Sequence, residues 1–264
     1  MLCYHRIGGP RELGVTRVAR SVFERQMRSL ARAGWRTETL AEFSAAARDP
    51  AGAARRARPA FLLTFDDGYA SLAEHAYPVL ADLGFTATTF LITDYVGRSN
   101  TWDMRYTWRR LPHLDWPVIE RWHARGFEFA SHTASHARLT WVDDARAADE
   151  LGRSRATLTT RLGPAASRAV AYPFGAADQR VARLARAAGY ELGFGGVWGT
   201  AGGPGGAFGI PRVPVYSWDV GDRPLGLRRD ALGLVGRWVA HGANRCAVGT
   251  SWMLRLGTRR SVSG

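Results

Sequence analysis

The apolar run Ala60-Phe61-Leu62-Leu63, set off by Pro59 and followed at once by Thr64-Phe65-Asp66-Asp67-Gly68-Tyr69, constrains this chain most. The run has the length and content of a buried strand. Two adjacent carboxylates at the exit of such a strand are costly to desolvate unless positive charge sits beside them. On its own, Asp67-Gly68 reads as a turn. A second apolar run, Phe127, Phe129 and Ala130, leads into Ser131-His132-Thr133-Ala134-Ser135-His136. Two imidazoles four residues apart after one strand, with paired carboxylates ending another, form the donor set of a metal site. The competing reading of His136 alone is a surface histidine.

The rest of the chain repeats strand-like and helix-like segments. Leu2-Cys3-Tyr4-His5 reads as the first strand. Ser21 and Glu24 have capping-box spacing before a helix marked by Phe23, Met27 and Leu30; Thr39 and Glu42 repeat the pattern before Phe43. Ala45 to Arg58 reads as a solvated helix end and loop. Leu72, Ala76, Val79 and Leu83 predict a helix closed by Gly84, and Thr86 to Ile92 a buried strand. The segment from Asp94 to Pro112, with Trp102, Tyr106 and Trp108, has no clean period and reads as a loop. Asp115 caps and Pro117 opens a helix stopped by Gly126. A long amphipathic helix is expected from Asp143 to Leu162, a strand over Arg168–Tyr172, and a helix marked by Val181, Leu184 and Ala188. Leu192–Gly195 and Ile210–Val215 are the last strand candidates. Repeated βα units imply an α/β fold with a parallel sheet or barrel, and functional residues at strand ends favour a barrel rim.

Composition narrows the partners. The formal charge of +13 would ordinarily suggest nucleic acid, yet all 36 basic residues are arginine, scattered, with no block denser than Arg55-Arg56-Ala57-Arg58. Nucleic-acid binding is therefore not expected; attraction to acidic glycans or membrane surfaces stays open. Only Cys3 and Cys246 are present, without a pairing pattern. No window is long and charge-free enough to cross a membrane: Leu232–Leu256 is interrupted by Arg237, His241, Asn244 and Arg245. The opening residues show no signal peptide, so the expectation is a cytoplasmic protein, or an exported one whose beginning is missing.

The stretches Thr64-Phe65-Asp66-Asp67-Gly68 and His132-Thr133-Ala134-Ser135-His136 resemble the first two motifs of the polysaccharide deacetylase family, the NodB-homology or carbohydrate esterase family 4 enzymes. The resemblance covers roughly residues 1 to 220. It implies a distorted (β/α)7 barrel over 1–224, with a C-terminal tail at 225–264 packed on the barrel or partly disordered. It further implies Asp67, His132 and His136 as ligands of a divalent ion, zinc in the first instance, and Asp66 as the general base. Such an ion would polarise a carbonyl and lower the pKa of a water to about 7. The substrate implied is an acetylated polysaccharide or oligosaccharide; the oligomeric state is not legible.

The chain departs from the family's pattern in two places. The third motif keeps Pro173-Phe174-Gly175 but has Ala171 where an arginine orients the base. Phe174 would still offer its backbone N–H to a developing oxyanion. Arg212, in Ile210-Pro211-Arg212-Val213-Pro214, is one substitute, and a surface arginine is the competing reading. The Leu-x-His that supplies a general acid is missing; His241 has the wrong context. Tyr4-His5-Arg6 is similar to a branch that includes poly-β-1,6-N-acetylglucosamine deacetylases, which makes His5 a candidate auxiliary residue or a buried structural histidine. The reading is a metal-dependent hydrolase of N-acetyl groups on amino sugars. The alternatives are a noncatalytic, metal-retaining glycan-binding barrel and an O-acetyl esterase on the same scaffold.

Overall fold

In chain order the elements are β1 (Leu2–Tyr4), β2 (Arg6–Ile7), β3 (Arg17–Val18), α1 (Arg20–Arg32), β4 (Arg36–Thr37), α2 (Leu40–Arg48), β5 (Ala60–Phe61), β6 (Leu63–Phe65), α3 (Ser71–His75), α4 (Tyr77–Asp82), β7 (Thr88–Leu91), α5 (Trp116–His123), β8 (Glu128–Ser131), α6 (Asp144–Leu162), β9 (Ala169–Ala171), α7 (Gln179–Ala187), β10 (Leu192–Phe194) and β11 (Val213–Pro214). They come from a computed structural model that describes residues 1–10, 14–49, 51, 57–101, 110–195, 205–222 and 224. Trp102, Tyr106, Trp108, His241, Cys246 and the whole expected tail lie outside the described residues.

Seven strands pair in parallel in the order β10-β9-β8-β7-β6-β1-β11, which bears out the α/β barrel expected of the chain. The last segment draws the two edges of this curled sheet together. Ile210 exchanges backbone hydrogen bonds with β10, its N–H donating to Gly193 O and its carbonyl accepting from Gly195 N, both at 3.0 Å. Three residues later Val213 and Pro214 pair with Leu2 and Cys3 of β1. Arg212 therefore sits in the stretch that spans both edges.

Successive strand side chains alternate in direction. Leu2, Tyr4, Leu63 and Phe65 belong to the main apolar cluster with Phe23, Met27 and Leu30 of α1; the Tyr4 and Phe23 rings meet edge to face at 5.3 Å. Cys3 and Thr64, the intervening residues, point the other way. On that side lies a smaller cluster that includes Phe90, Ala130, Ala171 and Phe194. Parallel strands buried on both faces need such continuous apolar runs.

Most helix signals hold. Thr39 and Glu42 form the reciprocal capping box, and Asp115, Asp143 and Asp178 each cap a helix through a side-chain oxygen. Two expectations fail. Ser21 is no cap: α1 starts at Arg20 behind Ala19, whose carbonyl already accepts from the Val22 and Phe23 N–H groups, so Ser21 lies inside the first turn. The single helix expected up to Gly84 is two, α3 and α4, broken around Ala76 ahead of Pro78, whose ring cannot follow a continuing turn. No helix among the described residues is long and apolar enough to cross a membrane.

Candidate metal and catalytic site

The functional side chains stand where parallel strands end. Register places Tyr4 beside Phe65, Phe65 beside Thr89, and Leu91 beside Ser131. His5, Asp66 and His132 follow directly on β1, β6 and β8, so all three emerge on one rim.

Asp67, His132 and His136 converge. Asp67 Oδ1 lies 3.5 Å from His132 Nε2 and 3.6 Å from His136 Nε2, and the two imidazole rings are 4.9 Å apart. One ligand atom from each of the three falls within 4.8 Å of the others, and all three residues are buried. Ligand atoms about 2.1 Å from a tetrahedral zinc stand roughly 3.4 Å from one another, so these residues fit a divalent cation. Hydrogen bonding sets one ring: Ala171 O can only accept, so His132 Nδ1–H donates to it at 2.8 Å and Nε2 is left for a ligand. Ala171, where the family's third motif carries arginine, thus acts through its backbone. In the same way His113 Nδ1–H donates to Asp67 O at 2.9 Å.

Electrostatics agree with a cation site. Burial, with the neighbouring His132 charge, pushes His136 down to about 3, so it is a neutral imidazole at ordinary pH. Burial opposes a charge on His132 as well, but Asp66 and Asp67 together hold it above its usual value. Buried carboxylates require positive charge beside them, and a metal ion held by Asp67, His132 and His136 would supply it in place of a proton on His132.

Asp66 is held differently. Arg212 grips it with two parallel bonds, Nη1 to Oδ1 and Nη2 to Oδ2, each 2.6 Å, and Nη1 also reaches Thr64 Oγ1 at 3.3 Å. Both side chains are about 5 % exposed. Burial resists ionisation of Asp66, yet Arg212 first and His132 second hold its carboxyl well below the usual range. Arg212 is thus buried against Asp66 and is not a surface arginine. Cys3 Sγ lies 3.5 Å from Asp66 Oδ2, and burial pushes its thiol far up, so it stays protonated. Cys3, His5 and Asp66 also stand within 4.8 Å of one another. Arg212 takes both Asp66 oxygens there, and its charge repels a second cation. His5 is thereby on the rim as expected, with a buried Nδ1 that has no hydrogen-bond partner.

Phe174 closes the site against His136, its ring 4.8 Å from the imidazole. Asp67, Thr133, His136 and Phe174 are the four non-glycine residues with φ between 60° and 70° among those described. All belong to the three motif stretches, and left-handed backbone is costly for such residues unless the surroundings impose it.

Sequence reasoning missed Glu150. It is fully buried on α6, where it accepts from Ser135 N at 2.7 Å, Ser135 Oγ at 2.5 Å and Arg146 Nη2 at 2.6 Å. It anchors the loop that joins His132 to His136. An acid inside the stripe Ala147, Leu151, Ser154 and Leu158 is the signal that would have found it.

Comparison with known proteins agrees with this geometry. The polysaccharide deacetylase family model matches residues 53–193, just over half of the 264. The Bacillus subtilis (strain 168) protein YxkH, provisionally named a polysaccharide deacetylase, is 27 % identical over 215 residues, 81 % of this chain and 70 % of its own. IcaB from Ammonifex degensii superposes with a TM-score of 0.64 at 27 % identity, covering 90 % of this chain and 94 % of that one. The Streptococcus pyogenes deacetylase PplD, solved with acetate, has a TM-score of 0.70 at 22 % identity over 83 % of this chain and 92 % of its own, and shares the fold.

Proposed function

Because the chain belongs to the polysaccharide deacetylase family, we propose that it is a zinc-dependent hydrolase that removes N-acetyl groups from amino sugars of a polysaccharide. The convergence of Asp67, His132 and His136, with Asp66 clamped beside them, is the observation that carries this reading. A divalent ion held by those three would polarise the acetyl carbonyl and make a water acidic enough to attack it.

The remaining steps belong to the chain's own residues. Asp66 takes the proton of the attacking water. Its Oδ2 accepts from Arg212 and the Cys3 thiol, while Oδ1 accepts one Arg212 bond and keeps a lone pair for that proton. Arg212 keeps Asp66 ionised and fixes its plane. Phe174, turned by its left-handed backbone, offers its N–H toward the oxygen on which negative charge develops. His5, on the same rim, is the auxiliary residue we assign to the leaving amine.

Acetate release from a panel of N- and O-acetylated glycans, with chelator and with zinc restored, tests the proposal. Release from N-acetylated glycans that stops with chelator and returns with zinc is expected. Release from O-acetylated glycans only would make it an esterase. Glycan binding with no release would make it a noncatalytic barrel.

A further inference from the structure

Arg138 is two residues past His136, at the start of the turn Leu139–Trp141. Its guanidinium carbon lies 4.5 Å from the centre of the Trp141 ring and 5.8 Å from that of Phe174, the ring that packs on His136. Its Nε and Nη1 are both buried without a hydrogen-bond partner, and no described carboxylate pairs with it. Other arginines nearby do find oxygens: Arg146 has Glu150, Arg180 has Asp144 and Leu139 O, and Arg212 has Asp66.

Two donors of one cation left buried without acceptors cost folding free energy that an isolated stacking contact does not fully offset. A fork of guanidinium N–H groups matches the two oxygens of a carboxylate or phosphate, and stacking on Trp141 already restricts its orientation. Among the described residues none supplies that acceptor, and the oxygens of a ligand would.

We propose that Arg138 and Trp141 form a subsite for a carboxylate or phosphate on the substrate, so that the glycan deacetylated here is acidic. This rests on the deacetylase reading and adds the substrate class. The amino sugar whose acetyl group reaches His132 and His136 would carry its anionic group, or an anionic neighbour, toward Arg138. No bond is made or broken at this subsite.

The test measures binding without turnover, on the zinc-loaded full chain carrying Asp66→Asn. Three probes of equal length are compared by calorimetry. One is a neutral N-acetylglucosamine oligomer, one alternates N-acetylglucosamine with glucuronate, and one bears a phosphate monoester. At least one acidic probe should bind about tenfold to a hundredfold tighter than the neutral one, the range of a charge-assisted hydrogen bond. The tighter of the two identifies the source of the anion. Arg138→Met keeps the apolar stem over Trp141 and removes the fork, so the preference should collapse toward unity. Arg138→Lys, a point charge without the fork, should keep part of it, and would decide if the Met variant fails to fold. Equal affinity for all three probes in the parent protein would overturn the subsite, as would an undiminished preference in Arg138→Met. Failure of the hydrolase reading is read separately: the zinc-loaded chain with Asp66 intact would release no acetate from any probe whatever its binding preference.

Discussion

Removing Arg212 should cost more than any other single substitution at this site, and the reason is geometric. Arg212 and Asp66 are each about 5 % exposed and joined by two bonds of 2.6 Å, with the Phe90 and Phe194 rings 5.3 and 6.0 Å from the guanidinium carbon. Taking one partner from a buried ion pair leaves an uncompensated charge and costs about 3–5 kcal/mol. In a domain of this size each kcal/mol moves Tm by about 2–4 °C, so Arg212→Met should lower it by roughly 6–20 °C. Asp66→Asn strands the guanidinium and should destabilise in the same direction. The double variant strands neither, and should recover a large part of the loss. Thermal and urea unfolding of the four proteins gives the coupling, expected at about 3 kcal/mol. Independent sites add to within about 0.5 kcal/mol. Additive costs would mean that the pair does not form in solution, and Asp66 would lose its orienting partner.

Three further outcomes follow from other parts of the structure. Asp67→Asn should lose zinc on dialysis, whereas Asp66→Asn should retain it and lose turnover by a factor on the order of 10² or more; metal analysis beside acetate release separates them, and equal metal loss would reverse the two assignments. Glu128 is a carboxyl raised by burial although Leu40 N–H and Thr88 Oγ donate to it. Its folded-state preference for the proton is satisfied below about pH 4, the ordinary carboxylate value, and is lost as pH rises through the higher folded value. Glu128→Gln should therefore gain in Tm relative to the parent from pH 4 to pH 7; a constant difference would contradict the shift. Gly193→Ala would drive a methyl into the Tyr172 hydroxyl and to 3.0 Å from Phe208 Cα, an overpacking cost of about 1–3 kcal/mol readable as a lowered Tm.

What could be read in the chain was local. The candidate cation site needed only the spacing of His132 and His136 and the strand-end position of Asp67, and the structure brings the three together. The Thr39–Glu42 box held because both partners lie within one turn. Ser21–Glu24 has the same spacing and failed, because α1 has already begun at Arg20 with Ala19 O accepting its first bonds. The Asp66–Arg212 pair joins residues 146 apart through the segment that draws the sheet's edges together, so nothing near either residue could establish it. The same holds for Cys3 beside Asp66, and for Ala171, which orients His132 through a carbonyl that every residue type possesses.

That last contact shows how the departures of this chain belong together. With alanine at 171, the third-motif position has no side chain to reach Asp66, and a guanidinium arrives instead from the segment between β10 and β11. The arrangement keeps the charge pair, one buried arginine facing one buried aspartate. It is not conservative in mechanics. An arginine in the third motif would share a strand end with Phe174, whereas Arg212 is fixed by pairing of Ile210 to β10 and Val213 to β1. Orientation of Asp66 then depends on the seam that holds the sheet's edges together. The four left-handed residues at Asp67, Thr133, His136 and Phe174 each cost of order 1–3 kcal/mol, and the packed strands behind them hold that strain in place. Loosening the seam would release the arginine and the strained motifs at once. The geometry of the candidate site and the joining of the sheet's edges are in that sense one property of this chain.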